Sequence, residues 1–326
     1  MTVNVKARAL RERLAKGEFI LAPGVFDGIS AKVADRMGFP ALYMTGYGAT
    51  ASALGLPDAG LATYSDMVSR AEMICSIVDT PLIADADTGY GGLLNVQRTV
   101  RGYEAAGVAA IQIEDQEMPK KCGHTPGRRV VPAQDMVLKI KVAAEARRDP
   151  ATMIVARTDA RTTLGLDEAI RRAKAYEKAG ADIIFVESPE SEAELETIGR
   201  EIEKPLLANM VEFGKTPRVE VARLKKWGFD VAIYPGLGFS VAAEAMRQAW
   251  AHGLTAMRGA QPPLLDEPLL LLASELEAGF SVAAGAGCAA AAGAAFWAGA
   301  VFTTCPFSAA CTTVPSLADA RIDDST

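Results

Sequence analysis

The stretch Ile111-Gln112-Ile113-Glu114-Asp115 is an apolar run that ends in two carboxylates, and its pattern recurs along the chain. Strand-like runs of this kind alternate with amphipathic helical segments. The predicted strands are Phe19–Ala22, Ala41–Thr45, Pro81–Ala84, Ala109–Glu114, Met153–Arg157, Asp182–Glu187, Pro205–Asn209 and Asp230–Tyr234. The predicted helices are Gly28–Met37, Ser65–Val78, Asn95–Ala106, Ala133–Arg148, Asp167–Ala179, Ser191–Ile202, Thr216–Trp227 and Phe239–His252. Because parallel strands need helical crossovers and are buried on both faces, this alternation predicts a parallel α/β sheet.

The sheet is predicted to close on itself. Eight strand–helix units in about 235 residues match the size of a (β/α)8 TIM barrel. A doubly wound open sheet is the alternative, and it is less favoured because no glycine-rich dinucleotide fingerprint follows the first strand. We therefore expect a barrel catalytic domain over residues 1–258. Residues 259–326 form an Ala/Gly-rich C-terminal extension for which the sequence predicts no defined fold.

Composition restricts the class of protein. The chain has 326 residues, of which 50% are hydrophobic and 23% charged, with a net charge of −6, as in ordinary soluble globular proteins. The acidic balance argues against nucleic acid as a partner. Five widely spaced cysteines do not suggest a disulfide scaffold, and Met1–Lys16 lacks the apolar core of a secretory signal, so we expect a cytoplasmic protein. Ala283–Val301 carries no charge, but its alanines and glycines contribute too little transfer free energy to predict a membrane span.

Polar residues follow the predicted strands at their carboxyl ends, which form one mouth of a barrel. Asp85 and Asp87 come at the end of the third strand, Glu114 ends the fourth, and Asp58 lies in the long loop after the second. Such an all-oxygen cluster suits a hard cation, Mg²⁺ with retained waters or else Mn²⁺. The alternative is that Asp87 caps a helix and Asp85 is simply hydrated. Zinc is disfavoured because its usual Cys/His spacing is absent.

Other strand ends supply groups for an anionic substrate. Arg157 can pair bidentately with a carboxylate, although a salt bridge to Glu187 would also explain it. Asn209 can donate its amide to a substrate carboxylate or satisfy buried backbone. Thr45 and the Gly46 backbone can bind a carboxylate through N–H groups, and a tight turn would equally explain Gly46.

The segment Pro119-Lys120-Lys121-Cys122-Gly123-His124 is predicted to be a mobile loop that carries the acid–base chemistry. A thiol, an imidazole and two ammonium groups fall within it, and glycines and prolines flank it. A thiol beside fixed positive charge has a lowered pKa, so we expect Cys122 to exchange protons near neutrality. The alternative is a solvated basic loop with an incidental cysteine.

Taken together, these residues resemble the isocitrate lyase/phosphoenolpyruvate mutase superfamily. The matching stretches are Pro23–Asp27, Tyr43–Gly48, Leu54–Asp58, Ala84–Gly91, Glu114–Gln116, Lys120–His124, Ala156–Ala160 and Leu207–Met210. The resemblance implies a (β/α)8 barrel that forms a homotetramer, binds Mg²⁺ and carries a gating loop. Family members cleave or rearrange bonds beside an α-oxo or α-hydroxy carboxylate through an enolate bound to the metal.

The Lys-Lys-Cys-Gly-His loop resembles that of the carbon–carbon lyases within the superfamily. The resemblance implies that Asp85 and Asp87 hold Mg²⁺, directly or through water, with Asp58 and Glu114 in its water shell. It further implies that Cys122 protonates the departing carbanion. The remaining catalytic candidates are Tyr43, Lys121, His124 and Arg157. The candidates for substrate binding are Thr45, Gly46, Tyr47, Gly123, Arg157, Glu187 and Asn209.

One departure from the family bears on the substrate. Methylisocitrate lyases place an arginine shortly after the last strand to hold a third carboxylate, and the stretch 234–240 has none. A smaller diacid such as 2,3-dimethylmalate, cleaved to pyruvate and propionate, therefore fits better. Oxaloacetate hydrolysis and carboxyphosphonoenolpyruvate rearrangement remain alternatives on the same scaffold, and so does a catalytically silent barrel. The Ala/Gly-rich tail does not resemble the helices that family members exchange between subunits.

Overall fold

A computed structural model describes residues 4–212 and 214–257 of the chain. Its sheet is a closed barrel of parallel strands in sequential order, which confirms the predicted (β/α)8 fold. The strands are β1 (Ile20–Val25), β2 (Leu42–Met44), β3 (Leu82–Asp85), β4 (Ala110–Glu114), β5 (Met153–Thr158), β6 (Ile183–Val186), β7 (Leu206–Asn209) and β8 (Val231–Tyr234). Closure occurs between β1 and β8, where Ile20 pairs with Val231.

The helices are α1 (Val5–Ala15), α2 (Gly28–Arg36), α3 (Gly46–Leu54), α4 (Tyr64–Ile77), α5 (Leu93–Ala105), α6 (Ala133–Ala146), α7 (Arg161–Leu164), α8 (Leu166–Ala179), α9 (Glu192–Glu201), α10 (Val221–Lys226) and α11 (Leu237–Met257). The predicted helix Thr216–Trp227 is shorter in the structure because Pro217 disfavours helical backbone at the residue before it. The short helices α3 and α7 were not predicted, since they lie inside loops at the barrel mouth and have little apolar periodicity.

Side chains alternate along each strand between the barrel interior and the helical layer. In β4, Ala110 packs with the interior cluster, whereas Ile111 and Ile113 pack with the cluster beneath the helices. This alternation directs Gln112 and Glu114 inward and Asp115 outward. The same argument on β5, where Val155 is interior, directs Arg157 into the barrel mouth. The period-two pattern therefore decides which strand-end side chains face the cavity.

Two further points concern the ends of helices and the C-terminal tail. Four helices are followed by a glycine with positive φ, as suits a left-handed C-cap: Gly38, Gly107, Gly180 and Gly228. The tail 259–326, with its charge-free stretch, lies outside the described residues. Within the described residues no helix is long and apolar enough to span a membrane.

Candidate active site

A cavity of about 420 Å³ opens at the carboxyl ends of the strands. Its lining includes most of the side chains predicted to act on a substrate: Tyr43, Thr45, Tyr47, Asp58, Asp85, Cys122, Gly123, His124, Arg157 and Asn209. The rest of the wall comes from β8 and the residues just after it, the start of α11, and residues 211, 212 and 214. Residues far apart in the sequence thus converge on one cavity, as expected at the mouth of a barrel.

One wall of the cavity is a cluster of carboxylates. Lys120 is 3% exposed, and its ammonium contacts Asp58 and lies 2.6 Å from Asp87 Oδ1. The Asp85 carboxylate accepts a hydrogen bond of 2.9 Å from the Asp87 backbone N–H. Asp87 has a φ of +48°, a left-handed conformation that a non-glycine residue adopts only where its surroundings enforce it. The backbone is therefore bent to keep these carboxylates together.

The cluster holds more negative charge than its buried surroundings favour. Burial raises the pKa of Asp85, the pKa of Asp87 to about 6, and the pKa of Glu114 well above its ordinary value, although Lys120 or Arg157 opposes each increase. The same carboxylates raise the pKa of Lys120, against the effect of its burial. A further cation at this wall would relieve the repulsion.

These residues suit a hydrated hard cation. Among the described residues, no three Asp, Glu, His or Cys side chains form a group that could enclose an ion unaided. Mg²⁺ typically retains several waters and is bound through one or two carboxylates, so a full protein cage is not required. The donor set, oxygen only and anionic, fits Mg²⁺ or Mn²⁺.

The loop lysine that contacts the carboxylates is Lys120, whereas the sequence prediction named Lys121. Lys121 Nζ lies 3.4 Å from the Pro126 carbonyl at the surface and lines no part of the cavity. Alternation along an extended segment would have distinguished the two lysines, since Lys120 and Cys122 share a side and Lys121 faces the other way.

Arg157 is held in the floor of the cavity. Its Nε and Nη2 atoms each lie 2.9 Å from an oxygen of Asp159, a bidentate pair that the sequence prediction did not include. Glu114 is 3.4 Å from Nε and Glu187 is 3.8 Å from Nη2, so the predicted contact with Glu187 is present but long. These carboxylates raise the pKa of Arg157. The guanidinium therefore remains charged and lines the cavity.

Asn209 has a buried acceptor to offer. Its Nδ2 atom lies 3.3 Å from Glu187 Oε2 and 3.3 Å from His124 Nε2. Its Oδ1 atom is buried without a hydrogen-bond partner among the described residues. Buried polar atoms are rarely left unpaired, so this oxygen is available to a bound molecule.

The segment after β2 brings backbone close to Asp85. Thr45 caps α3, with its hydroxyl oxygen accepting from the Gly48 N–H at 3.5 Å. A Cβ on Gly46 would lie 2.6 Å from Asp85 Oδ2, so only glycine allows this approach. Tyr47 lines the cavity with its ring packed edge-on against Phe239.

Tyr43 projects into the barrel from β2. Its hydroxyl donates to Gln112 Oε1 at 3.1 Å. Burial, reinforced by the Asp85 charge, raises its pKa well above the ordinary value. Tyr43 therefore presents a neutral hydroxyl, not a phenolate.

The predicted lowering of the Cys122 pKa is wrong. Burial raises the pKa of this thiol, and the lysines do not offset it because Lys120 is paired with carboxylates and Lys121 faces away. Burial also lowers the pKa of His124, whose Nδ1 accepts from the Lys215 N–H at 3.2 Å and whose Nε2 is 3.2 Å from Glu187 Oε1. The loop thus presents a protonated thiol and a neutral imidazole to the cavity.

Comparison with known proteins agrees with this geometry. The family model for phosphoenolpyruvate phosphomutase matches residues 10–254. The chain is 54% identical to 2,3-dimethylmalate lyase of Eubacterium barkeri over 244 residues, covering 75% of the chain and 84% of the relative. It is 46% identical to 2-methylisocitrate lyase of Aeropyrum pernix over 258 residues, covering 79% and 82%.

A solved structure of oxaloacetate acetylhydrolase with 3,3-difluorooxalacetate superposes with a TM-score of 0.77 at 36% identity, covering 87% of this chain and 98% of that one. The family match spans most of the chain, and the lyase relatives cover three quarters or more of it. The chain therefore belongs to the phosphoenolpyruvate mutase/isocitrate lyase superfamily and is an enzyme of its carbon–carbon lyase type.

Proposed function

We propose that the protein is a Mg²⁺-dependent lyase that cleaves a 2-hydroxy diacid with alkyl substituents, such as 2,3-dimethylmalate, to pyruvate and propionate. The observation that carries the proposal is the division of the cavity into a charged and an apolar side. The charged side holds the carboxylates and Arg157. The opposite side is mainly apolar, with Val211, Ile233, Pro235, Leu237 and Val241, and its one carboxylate among the described residues is that of Glu212.

The apolar wall argues against a third substrate carboxylate. Arg157 is the one Arg or Lys among the described residues that line the cavity, and His124 is neutral. A further carboxylate against Ile233 and Pro235 would be desolvated without a partner, which costs several kcal/mol by general estimates. Methyl groups gain from the same surface, at about 0.8 kcal/mol for each buried carbon.

Asp85 and Asp87 would hold Mg²⁺ directly or through water, and Asp58 and Glu114 would accept hydrogen bonds from its waters. When bound, the ion stabilises negative charge that develops on the substrate oxygens. Arg157 binds and orients a substrate carboxylate, with Asp159 fixing the direction of the guanidinium.

The loop supplies a proton to the departing fragment. A carboxylate of the cavity wall takes the proton of the substrate C2 hydroxyl, the C2–C3 bond breaks and leaves its electron pair on C3, and C3 takes a proton from the Cys122 thiol. The proton held by the carboxylate then returns to the Cys122 thiolate. Because burial keeps the thiol protonated at neutral pH, Cys122 is suited to act as the acid in this step. This role requires a reduced thiol, and we propose a cytoplasmic setting for that reason.

We also propose that the protein is a homotetramer. Helix α11 follows the last strand but leaves Met246 and Trp250, which lie one turn apart on the same face, exposed at 47% and 68%. An apolar helix face of this kind is typical of a subunit interface. Light scattering of the purified protein would show about four times the chain mass.

The decisive experiment couples pyruvate formation from 2,3-dimethylmalate to lactate dehydrogenase, with Mg²⁺ and with EDTA. We expect turnover that EDTA abolishes and Mg²⁺ restores. Cys122→Ser should lose activity by roughly 10²–10⁴-fold while retaining Mg²⁺-dependent binding of oxalate in calorimetry. Normal turnover by the Ser variant would refute the thiol role.

Oxaloacetate is the second candidate substrate, because the oxaloacetate acetylhydrolase fold superposes closely. Oxalate production from oxaloacetate, faster than cleavage of 2,3-dimethylmalate, would favour hydrolysis. Failure to bind oxalate with Mg²⁺ would indicate a catalytically silent barrel.

A further inference from the structure

Ser188 lies beneath the loop that carries Cys122. It follows Glu187 at the end of β6, is fully buried, and has a φ of +58°. Its Oγ atom lies 2.9 Å from the Gly123 carbonyl oxygen, 3.0 Å from Glu187 Oε1 and 3.3 Å from Arg128 Nη2. One hydroxyl thus meets the loop, a cavity carboxylate and a buried guanidinium.

A hydroxyl has one proton to donate, and two acceptors compete for that of Ser188. Arg128 can only donate, so it must contact a lone pair of the hydroxyl oxygen. The proton therefore reaches either the Gly123 carbonyl or the Glu187 carboxylate. The first bond exists only while the loop is closed, and the second remains available when Gly123 moves away. Ser188 is never left without an acceptor, so the loop can open without stranding a buried polar group.

Gly123 fits the closed position because it has no side chain. A Cβ there would lie 2.6 Å from Arg157 Nη2 and 2.9 Å from Glu187 Cδ. The backbone of the loop thus rests directly on the groups that hold the substrate. Closure at Gly123 brings the adjacent Cys122 to the cavity.

Arg128 secures the other end of the same loop. The loop closes on a short antiparallel neck, in which Gln116 pairs with Val130 and the Glu117 N–H donates to the Arg129 carbonyl at 2.9 Å. The Arg128 guanidinium, 1% exposed, contacts Asp159 and Thr162 as well as Ser188. Asp159 is also the carboxylate that orients Arg157.

We propose that Ser188 is a positioning residue whose hydroxyl holds the Cys122 loop closed, and that Arg128 links this closed state through Asp159 to the orientation of Arg157. The proposal rests on the proposed function for its catalytic consequence, because it is Cys122 that closure brings to the substrate. We call the contact between the Ser188 hydroxyl and the Gly123 carbonyl the latch. It is present in the substrate-free protein and is testable without turnover.

The test measures the rate at which iodoacetamide alkylates Cys122 in substrate-free protein, by mass-spectrometric peptide mapping. Ser188→Ala leaves the Gly123 carbonyl without its donor in the closed loop, whereas the carbonyl is hydrated in the open loop, so the rate should increase about fivefold. Cys75, a buried residue of α4, serves as an internal reference whose alkylation should not change. In the lyase assay the variant should lower kcat by a larger factor than it lowers oxalate affinity in the presence of Mg²⁺.

Two further variants separate the latch from backbone strain. Ser188→Gly also lacks the hydroxyl but relaxes the positive φ, so it should accelerate Cys122 alkylation as Ser188→Ala does, even if the Ala variant proves unstable. Ser76→Ala removes a hydroxyl that donates to the Met73 carbonyl on the exposed side of α4, and it should leave the alkylation rates of Cys122 and Cys75 unchanged. Wild-type alkylation of Cys122 in the folded Gly variant would overturn the latch. Faster alkylation in the Ser188 variants, together with no lyase activity in the wild-type protein, would support the latch and refute the proposed function instead.

Discussion

Glu114 and Asp115 are consecutive residues and are both fully buried, yet their carboxylates differ in the number of hydrogen-bond donors around them. Asp115 points outward from β4 and accepts four hydrogen bonds, from the Thr158 hydroxyl at 2.7 Å, the Tyr176 hydroxyl at 2.7 Å, the Asp159 N–H at 2.8 Å and Arg172 at 3.1 Å. Glu114 points inward, accepts one from Gln116 at 2.9 Å, and has Arg157 at 3.4 Å.

The difference separates a carboxylate that stabilises the fold from one that is available to a ligand. Burial raises the pKa of both residues, so the direction of the pKa shift does not distinguish them. The number of donors does, because a buried carboxylate has room for several hydrogen bonds. Asp85 resembles Glu114, with a single backbone donor to its carboxylate.

The largest effect is expected from Asp115→Asn. The amide would turn a donor towards groups that already donate, and Arg172 would lose a buried charge partner. Removing one member of a buried pair costs about 3–5 kcal/mol, so urea unfolding should show a loss of that order. Asp79→Asn, on an exposed loop, is the matched control. A fully stable Asp115→Asn would show that the donors do not stabilise the fold.

Asp85→Asn should have the reverse profile. It removes one charge from a crowded cluster, so the free energy of unfolding should stay the same or rise. Loss of a group that helps to stabilise charge in the transition state typically lowers kcat by roughly 10²–10³-fold, and we expect a decrease of that size. Mg²⁺-dependent binding of oxalate should also weaken in calorimetry. If this variant instead lost stability and kept its activity, the distinction drawn from Glu114 and Asp115 would fail.

The sequence predicts the barrel well because its signals are local. Apolar runs, helical periodicity and the glycine C-caps each depend on neighbouring residues, and together they define the strand order. The polar strand ends follow from the same patterns, so Asp85 and Arg157 were identifiable as cavity residues and Glu114 as their buried neighbour.

The hydrogen-bond donors around a buried carboxylate come from residues distant in the sequence. For this reason the sequence prediction could not separate functional from structural carboxylates. The partners of Asp115 come from β5 and α8, more than 40 residues away. The pairing of Lys120 with Asp58 and Asp87 likewise depends on how the loop folds back. For the same reason the Cys122 pKa was predicted in the wrong direction: adjacent lysines in sequence need not be adjacent in space.

A smaller effect is expected from Asp87, in the carboxylate cluster of the cavity, on the pH dependence of the free energy of unfolding. Burial is the main cause that raises the pKa of Asp87 from 3.8 to about 6, so in metal-free protein its protonated form is favoured by folding. The resulting stabilisation is complete below pH 3.8 and is lost as the pH rises through 6. Its size is on the order of 3 kcal/mol.

Urea unfolding in EDTA across this range should therefore show a decline that Asp87→Asn makes smaller, while Asp85 and Glu114 still contribute to it. Asparagine tolerates the positive φ at this position, so the variant isolates the charge from the backbone strain. Equal pH dependence in both proteins would mean that Asp87 is adequately neutralised without a metal.

The smallest change, Tyr176→Phe, tests the satisfied side one donor at a time. The Tyr176 hydroxyl donates to Asp115 Oδ2 at 2.7 Å, and its removal leaves the Thr158, Asp159 and Arg172 donors in place. A hydrogen bond to a charged group contributes about 1.5 kcal/mol at the lower end, so unfolding should shift by that amount. Lyase activity at saturating Mg²⁺ should not change, because Tyr176 lies in α8 on the outer side of β4.

Tyr64→Phe, on a half-buried ring remote from Asp115, is the control. A loss as large as that of Asp115→Asn would mean that the four donors act as one cooperative unit, whose contributions cannot be counted singly.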